Sequence, residues 1–453
     1  MSYLDKDGTE RFVDNIKTSQ SAQDLTITEL ETTTERLVNL FGVPEHYGIK
    51  IDKNNSDTSA RITYMYDCAS FTPAGMDYTN GVFSYGSWAN AFFIKNNYPA
   101  MYKFDGSEDY KLDPSDHSKR EDGTASDVAN VSYNGNAMSV FDCHIWMKFY
   151  EDENYQYLEV SNAKLDDDFK DYPYIRSDGT TADKLYYPMY PGYVDSNNRL
   201  RSISGVVSTG NTTTAQEVQY ASNCGENWSI GDWSHYLWLH SLMLLISKNF
   251  DSQNVFGQGN SSSGSKATNG TLNASGQFFG YSTTTSSMKA FYQENVYANR
   301  YQRLLGFYND KGTYKVKMAP PYTYDETFDG YTVVQSPTVP SSNYIKDLSF
   351  DSSYGILPKT TGSPASSSAY VGDYMWSNNS QVNLLLAGGT CNVGSNCGSW
   401  YLRLNNRATR ADSNQGASVY FSQPATDYQA FFDSEDNLVM DKNSEVITVK
   451  GES

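Results

Sequence analysis

Apolar and polar positions alternate with different periods along the chain, and each period predicts a different element. Between Asp14 and Phe41, a stretch without Pro or Gly, two seven-spaced sets run three residues apart. One is Ile16, Gln23, Leu30 and Leu37; the other is Val13, Gln20, Ile27, Thr34 and Phe41. This is a heptad register with a polar layer at Gln20 and Gln23. Lys17, Asp24, Glu29, Glu31, Glu35 and Arg36 fill the solvated positions, and Gly42 and Pro44 stop the helix. The pattern fits an amphipathic helix packed on its own domain or a short parallel coiled coil. A helix ahead of a β-rich body favours the coiled coil, and the mix of β-branched and Leu seam residues fits a homotrimer.

From residue 45 to about 205 the period drops to two. Alternation is visible in Ile62-Thr-Tyr-Met-Tyr and in Cys143-His-Ile-Trp-Met-Lys-Phe-Tyr. Turn signals stand at Asp105-Gly106, Asp122-Gly123, Asn134-Gly135 and Asp178-Gly179. Helical spacing returns over Ser229–Asn249, with Trp233, Tyr236, Leu237, Leu239, Met243, Leu244 and Ile246 apolar. Ser229 is the expected N-cap, with Asp232 at the third helical position. Gly257 to Gly276 is Ser/Gly/Asn/Thr-rich and reads as surface loop or a locally flexible stretch. Val382–Ala387 is an apolar strand. After it, Trp400, Leu402 and Leu404 alternate inward, which leaves Tyr401, Arg403 and Asn405 outward.

Composition changes the picture in two ways. The formal charge of −19 and pI near 4.6 argue against nucleic acid and against an anionic membrane surface, both of which call for a basic footprint. The 37 Tyr among 453 residues mark a folded chain, since disordered chains are poor in aromatics. Mean hydropathy is −0.60 with only 19% charged residues, so the polarity comes from Ser, Thr, Asn and Gly. That profile suits an extracellular or virion-surface protein. The longest apolar run, Leu237 to Ile246, is well short of the ~20 residues of a membrane span, so no membrane insertion is expected. The N-terminus lacks the basic and apolar regions of a secretory signal, so synthesis in a host cytoplasm is expected.

Candidate chemistry is sparse. There is no phosphate-binding loop with Lys, no Gly-x-Ser-x-Gly elbow and no His-Glu-x-x-His. His235 and His240 are five apart and do not share a helix face as metal ligands would. Asp166-Asp167-Asp168 reads as a solvated loop. No catalytic residue, catalytic metal or cofactor is expected, although Asp- and Asn-rich loops leave room for a structural calcium. Cys391 and Cys397 enclose a loop around Gly394 that either bridges or carries two free thiols.

The most informative segment is Gly388-Gly-Thr-Cys-Asn-Val-Gly-Ser-Asn-Cys-Gly-Ser-Trp-Tyr-Leu-Arg-Leu-Asn-Asn-Arg, continuing through Ser413-Asn-Gln-Gly-Ala-Ser-Val. It resembles the C-terminal motif of C-type lectin-like folds, in the branch with formylglycine-generating-enzyme-type modules, retroelement variable proteins and gut bacteriophage tail adhesins. Cys224-Gly-Glu-Asn-Trp-Ser-Ile, Asn249-Phe-Asp-Ser-Gln and Tyr47-Gly-Ile-Lys-Ile-Asp are similar to upstream segments of those tail proteins. Cys391 stands where the motif often has Trp, and Ser418 where it often has Arg. Cys397 is followed by Gly398 with no Cys beyond it, which departs from the metal-binding pair of a formylglycine-generating enzyme.

The expected fold class is therefore α+β, mainly β. It comprises a helical coiled-coil stem (1–41), a β-rich middle region (42–205), a C-type lectin-like domain with long loops (206–421) and a C-terminal tail (422–453). The resemblance implies a virion surface fibre or tail adhesin, not an enzyme. Its partners would be a glycan or protein on the bacterial host and other virion proteins through the stem. A joining part of the virion without its own receptor, or a polysaccharide-degrading enzyme, are the alternatives. Recognition is expected from Asn392, Ser395, Asn396, Tyr401, Arg403, Asn405, Asn406, Arg407, Arg410 and Asp412. Tyr, Asn, Ser and Arg are the residue types of adaptable binding surfaces.

Overall fold

The apolar run predicted as a helix organises the molecule. The computed structural model describes residues 43–55, 57, 60–363 and 371–423, together with the backbone of three short strands at Ala430–Phe432, Leu438–Lys442 and Glu445–Thr448. Four α-helices lie among the described residues: α1 (Phe92–Lys95), α2 (Thr214–Ser222), α3 (Trp233–Ser247) and α4 (Ser252–Phe256). In α3 every residue except His235 is buried. A helix that is apolar on all sides has to be enclosed, and three β-sheets enclose this one. Trp238 donates to the carbonyl of Ile145 ahead of one sheet, Tyr187 of a second sheet donates to the carbonyl of His235, and Trp233 donates to the carbonyl of Tyr354 beside the third.

The helix is capped by Asp232, whose carboxylate accepts from the His235 N–H at 3.1 Å, and not by Ser229. Ser229 sits instead in a strand, Trp228–Ile230. At the other end Lys248 closes the helix in the left-handed conformation, with φ 54°.

The first sheet is antiparallel, in the order Ile62–Tyr66, His46–Asp52, Tyr155–Ser161, Trp146–Glu151. The second has six strands and joins distant parts of the chain: Leu185–Pro188 pairs with both Gly135–Phe141 and Val419–Phe421. The third has nine strands and curls into a β half-barrel. Its centre runs Tyr301–Asp310, Val382–Ala387, Leu402–Leu404, Tyr374–Ser377, Asn343–Asp351. One apolar cluster contains Tyr47 and Ile49 of the first sheet, Tyr187 of the second, Leu402 and Leu404 of the third and most of α3, so residues on both sides of position 205 share a core.

The α+β expectation is corrected. The described residues are mainly β, the helices are few and short apart from α3, and no helical stem or coiled coil is shown. The residues read as a stem, 1–41, lie outside those described. Among the described residues the long apolar run at helical spacing forms α3 where sheets enclose it, and short alternating runs pair into sheets. The stretch 257–276 has no helix or strand, as expected, but it is not simply surface. Asn260, Ser261, Asn269 and Leu272 are buried, and the Gly264 N–H donates to the carbonyl of Cys391 at 2.9 Å.

Candidate recognition face

The segment after Val382–Ala387 starts with a turn that needs two glycines. Gly388 and Gly389 have φ of 81° and 85°, a region closed to most side chains. The Gly388 N–H donates to the carbonyl of Tyr401 at 3.0 Å. The returning strand, Leu402–Leu404, pairs antiparallel with Val382–Ala387 and parallel with Tyr374–Ser377. Trp400, Leu402 and Leu404 are buried as alternation requires. Asp373, itself buried, anchors the start of this strand by accepting the Trp400 N–H at 2.6 Å. Burial pushes the Asp373 carboxyl well above the usual carboxylate range, against the pull of that N–H.

Tyr401 does not face solvent. It is fully buried, its ring stacks on Tyr301 with centroids 5.6 Å apart, and the two hydroxyls are 3.2 Å apart. Strand alternation does send it to the face opposite Leu402, but Tyr301, Tyr374 and Val393 cover it there. Asn406 is buried too, donating to Asn405 Oδ1 at 2.6 Å. Arg403 and Asn405 are half-buried and bonded to each other, Nε to Oδ1 at 2.9 Å, and the guanidinium lies 4.8 Å from the Tyr301 ring centre. Asn392 and Ser395 are exposed. Asn396 accepts from the Tyr344 hydroxyl at 2.7 Å. Arg410 pairs with Asp412 at 2.9 Å. The Asp412 carboxyl is held below its ordinary value: burial raises it, but the Asn414 N–H, Arg410 and the Arg403 charge outweigh burial. Arg407 points elsewhere, 4.0 Å from Glu326.

The strand register adds residues that alternation within one strand could not supply. Trp376 lies opposite Arg403, and Tyr344 opposite Tyr374. Trp376 is 39% exposed, unusual for the largest apolar side chain. Tyr374 touches both neighbours, with centroids 5.0 Å from Tyr344 and 4.9 Å from Trp376. The result is a row of aromatic rings with Asn396 bonded to Tyr344 at one end and Arg403, held by Asn405, opposite Trp376 at the other. The one sequence signal for it was the pair of large aromatics in Tyr374-Met-Trp-Ser, whose spacing of two puts both on one face.

The five cysteines are free thiols, and Cys143 is only half-buried. Cys397 packs against Gly389, while Cys391 accepts from Lys266 Nζ at 2.8 Å. Among the described residues no three His, Cys, Asp or Glu side chains are grouped to hold a metal ion, and no helix is long and apolar enough to cross a membrane. Compared with protein-family models and with curated proteins, the chain matches none.

Proposed function

We propose that this chain is a recognition protein of a virus particle, which attaches the particle to a molecule on a bacterial host through the face around Trp376 and Arg403. The observation that carries the reading is Trp376, exposed at the end of an aromatic row and opposite an Arg held in place by Asn405. Trp, Tyr and Arg dominate binding energy where they occur together, because they bury large area with little loss of side-chain freedom. Prepositioned rings and a guanidinium fixed by its own hydrogen bond lower that cost further. The resemblance of residues 388–419 to the C-terminal motif of gut bacteriophage tail adhesins supports the setting.

Labelled protein incubated with a panel of gut bacterial strains tests this. The wild-type chain should bind at least one strain. Trp376→Ala and Arg403→Ala should each weaken that binding by tenfold or more, about 1.4 kcal/mol, with melting temperatures unchanged within a few degrees. Variants that melt and bind like wild type would remove this face from attachment.

A further inference from the structure

We infer that the outer face of the four-stranded sheet, with the groove along its edge strand, is a second binding site and takes a saccharide. The face is built around one carboxylate. Glu159 is 5% exposed and accepts three side-chain hydrogen bonds: from Tyr66 and Tyr150 hydroxyls at 2.9 and 2.7 Å, and from His46 Nε2 at 2.9 Å. Tyr66 reaches it because the residue has φ 58° and its ring folds over Gly48, where a Cβ would come within 3.0 Å of the ring. His46 then stacks on Tyr66 at 3.7 Å. Tyr157, next to Tyr150 in the register, lies parallel to it at 4.4 Å, and its own hydroxyl is tied to Asp152 at 2.9 Å. Surface tyrosines are normally free to turn. Here three rings are locked, and Tyr66 is 45% exposed. A ligand meets them already ordered.

Lys148 and Tyr150 also line a groove of about 400 Å³ whose other walls include Glu151, Asp168, Asp351 and Lys359. That is the size of a small-molecule cleft, roughly 300–1,000 Å³, but its chemistry is polar. Lys148 pairs with Asp168 at 3.4 Å and Lys359 with Glu151 at 3.7 Å, so sugar hydroxyl groups meet both acceptors and donors, while the half-buried Tyr157, stacked on Tyr150 by one face, adds apolar surface for the C–H side of a sugar ring. The acidic surplus disfavours a polyanionic glycan. A peptide added to the edge strand is disfavoured as well: the Phe149 N–H and carbonyl already exchange hydrogen bonds with the Ser352 hydroxyl at 3.0 and 3.1 Å.

The tyrosine face lies on a different sheet from Trp376, although Asp351 and Lys359 of the groove belong to the nine-stranded sheet, and the site stands whether or not the Trp376 face attaches to cells. Affinity electrophoresis through gels containing a soluble β-glucan, a mannan, a galactomannan or heparin tests it. The wild type should be retarded by at least one neutral polysaccharide and not by heparin. Tyr157→Ala and Lys359→Ala, both at half-buried or exposed positions, should raise the dissociation constant at least tenfold at unchanged melting temperature, and Trp376→Ala should bind as wild type does. Absence of retardation in every neutral gel, retardation by heparin alone, or unaltered retardation of folded Tyr157→Ala and Lys359→Ala would each overturn the assignment. Release of reducing ends from the retarding polysaccharide would also overturn it, in favour of an enzyme.

Discussion

Tyr401 and Trp376 show that a side chain's neighbours in sequence do not decide its exposure. Tyr401 lies in a segment rich in Asn, Ser and Arg yet is fully buried, and Trp376 emerges beside Asp373, which is buried. Tyr401→Ala should therefore act on stability. Removing a buried aromatic ring costs about 3–5 kcal/mol, and urea unfolding should show it; a loss below about 1 kcal/mol would mean that the Tyr301 stack is not tightly packed. His240 gives a pH-dependent case. It is enclosed in α3 against Tyr236, ring centres 3.9 Å apart, and burial lowers its pKa to about 3. The unfolded chain takes up a proton near the ordinary value of 6.5 and the folded chain does not. This group therefore costs stability progressively as pH falls from 6.5 towards 3, at about 1.4 kcal/mol per pH unit. His240→Leu lacks that term. Unfolding free energies measured at pH 7, 6, 5 and 4 should show the variant gaining on wild type at each step below 6.5; parallel profiles would contradict the burial of the ring.

Among elements, α2 shows how a polar bond couples distant chain segments. Thr213 and Gln216 form a reciprocal capping box at its start. Its buried Glu217 pairs with Arg303 of the large sheet at 2.6 Å, both side chains being nearly inaccessible. Burial pushes the Glu217 carboxyl up, and the Arg303 charge opposes it. Arg303→Met leaves that acid buried without its partner and should cost about 3–5 kcal/mol, whereas replacing both residues with apolar ones should cost less. A double variant that loses as much as Arg303→Met and Glu217→Leu added together, measured by denaturant unfolding, would show that the pair is not energetically coupled. At this scale much was legible in the sequence. The strand at 62–66 and the inward set Trp400, Leu402 and Leu404 follow from period-two alternation, the strand at 382–387 from its apolar run, and α3 from its apolar spacing. The Asp232 cap was missed because Ser229 and Asp232 are both good caps, and pairing of 228–230 with the strand 419–421 took Ser229 into a sheet.

In the whole molecule, three sheets meet on one helix and present two unrelated faces, one aromatic row edged by arginine and one tyrosine platform tied to a buried glutamate. The sequence by itself determined which segments alternate, which helix has to be enclosed and which residue types are available for recognition, because periodicity and composition are local properties. It did not determine which of the 37 tyrosines are core and which are surface. Tyrosine suits either place, being buried when its hydroxyl finds a partner and exposed when its ring is wanted. Tyr401 is covered by Tyr301, a hundred positions earlier, and Tyr66 and Tyr150 are turned to the surface by Glu159 across the strands. Those pairings depend on sheet register between remote segments, which only the tertiary structure decides.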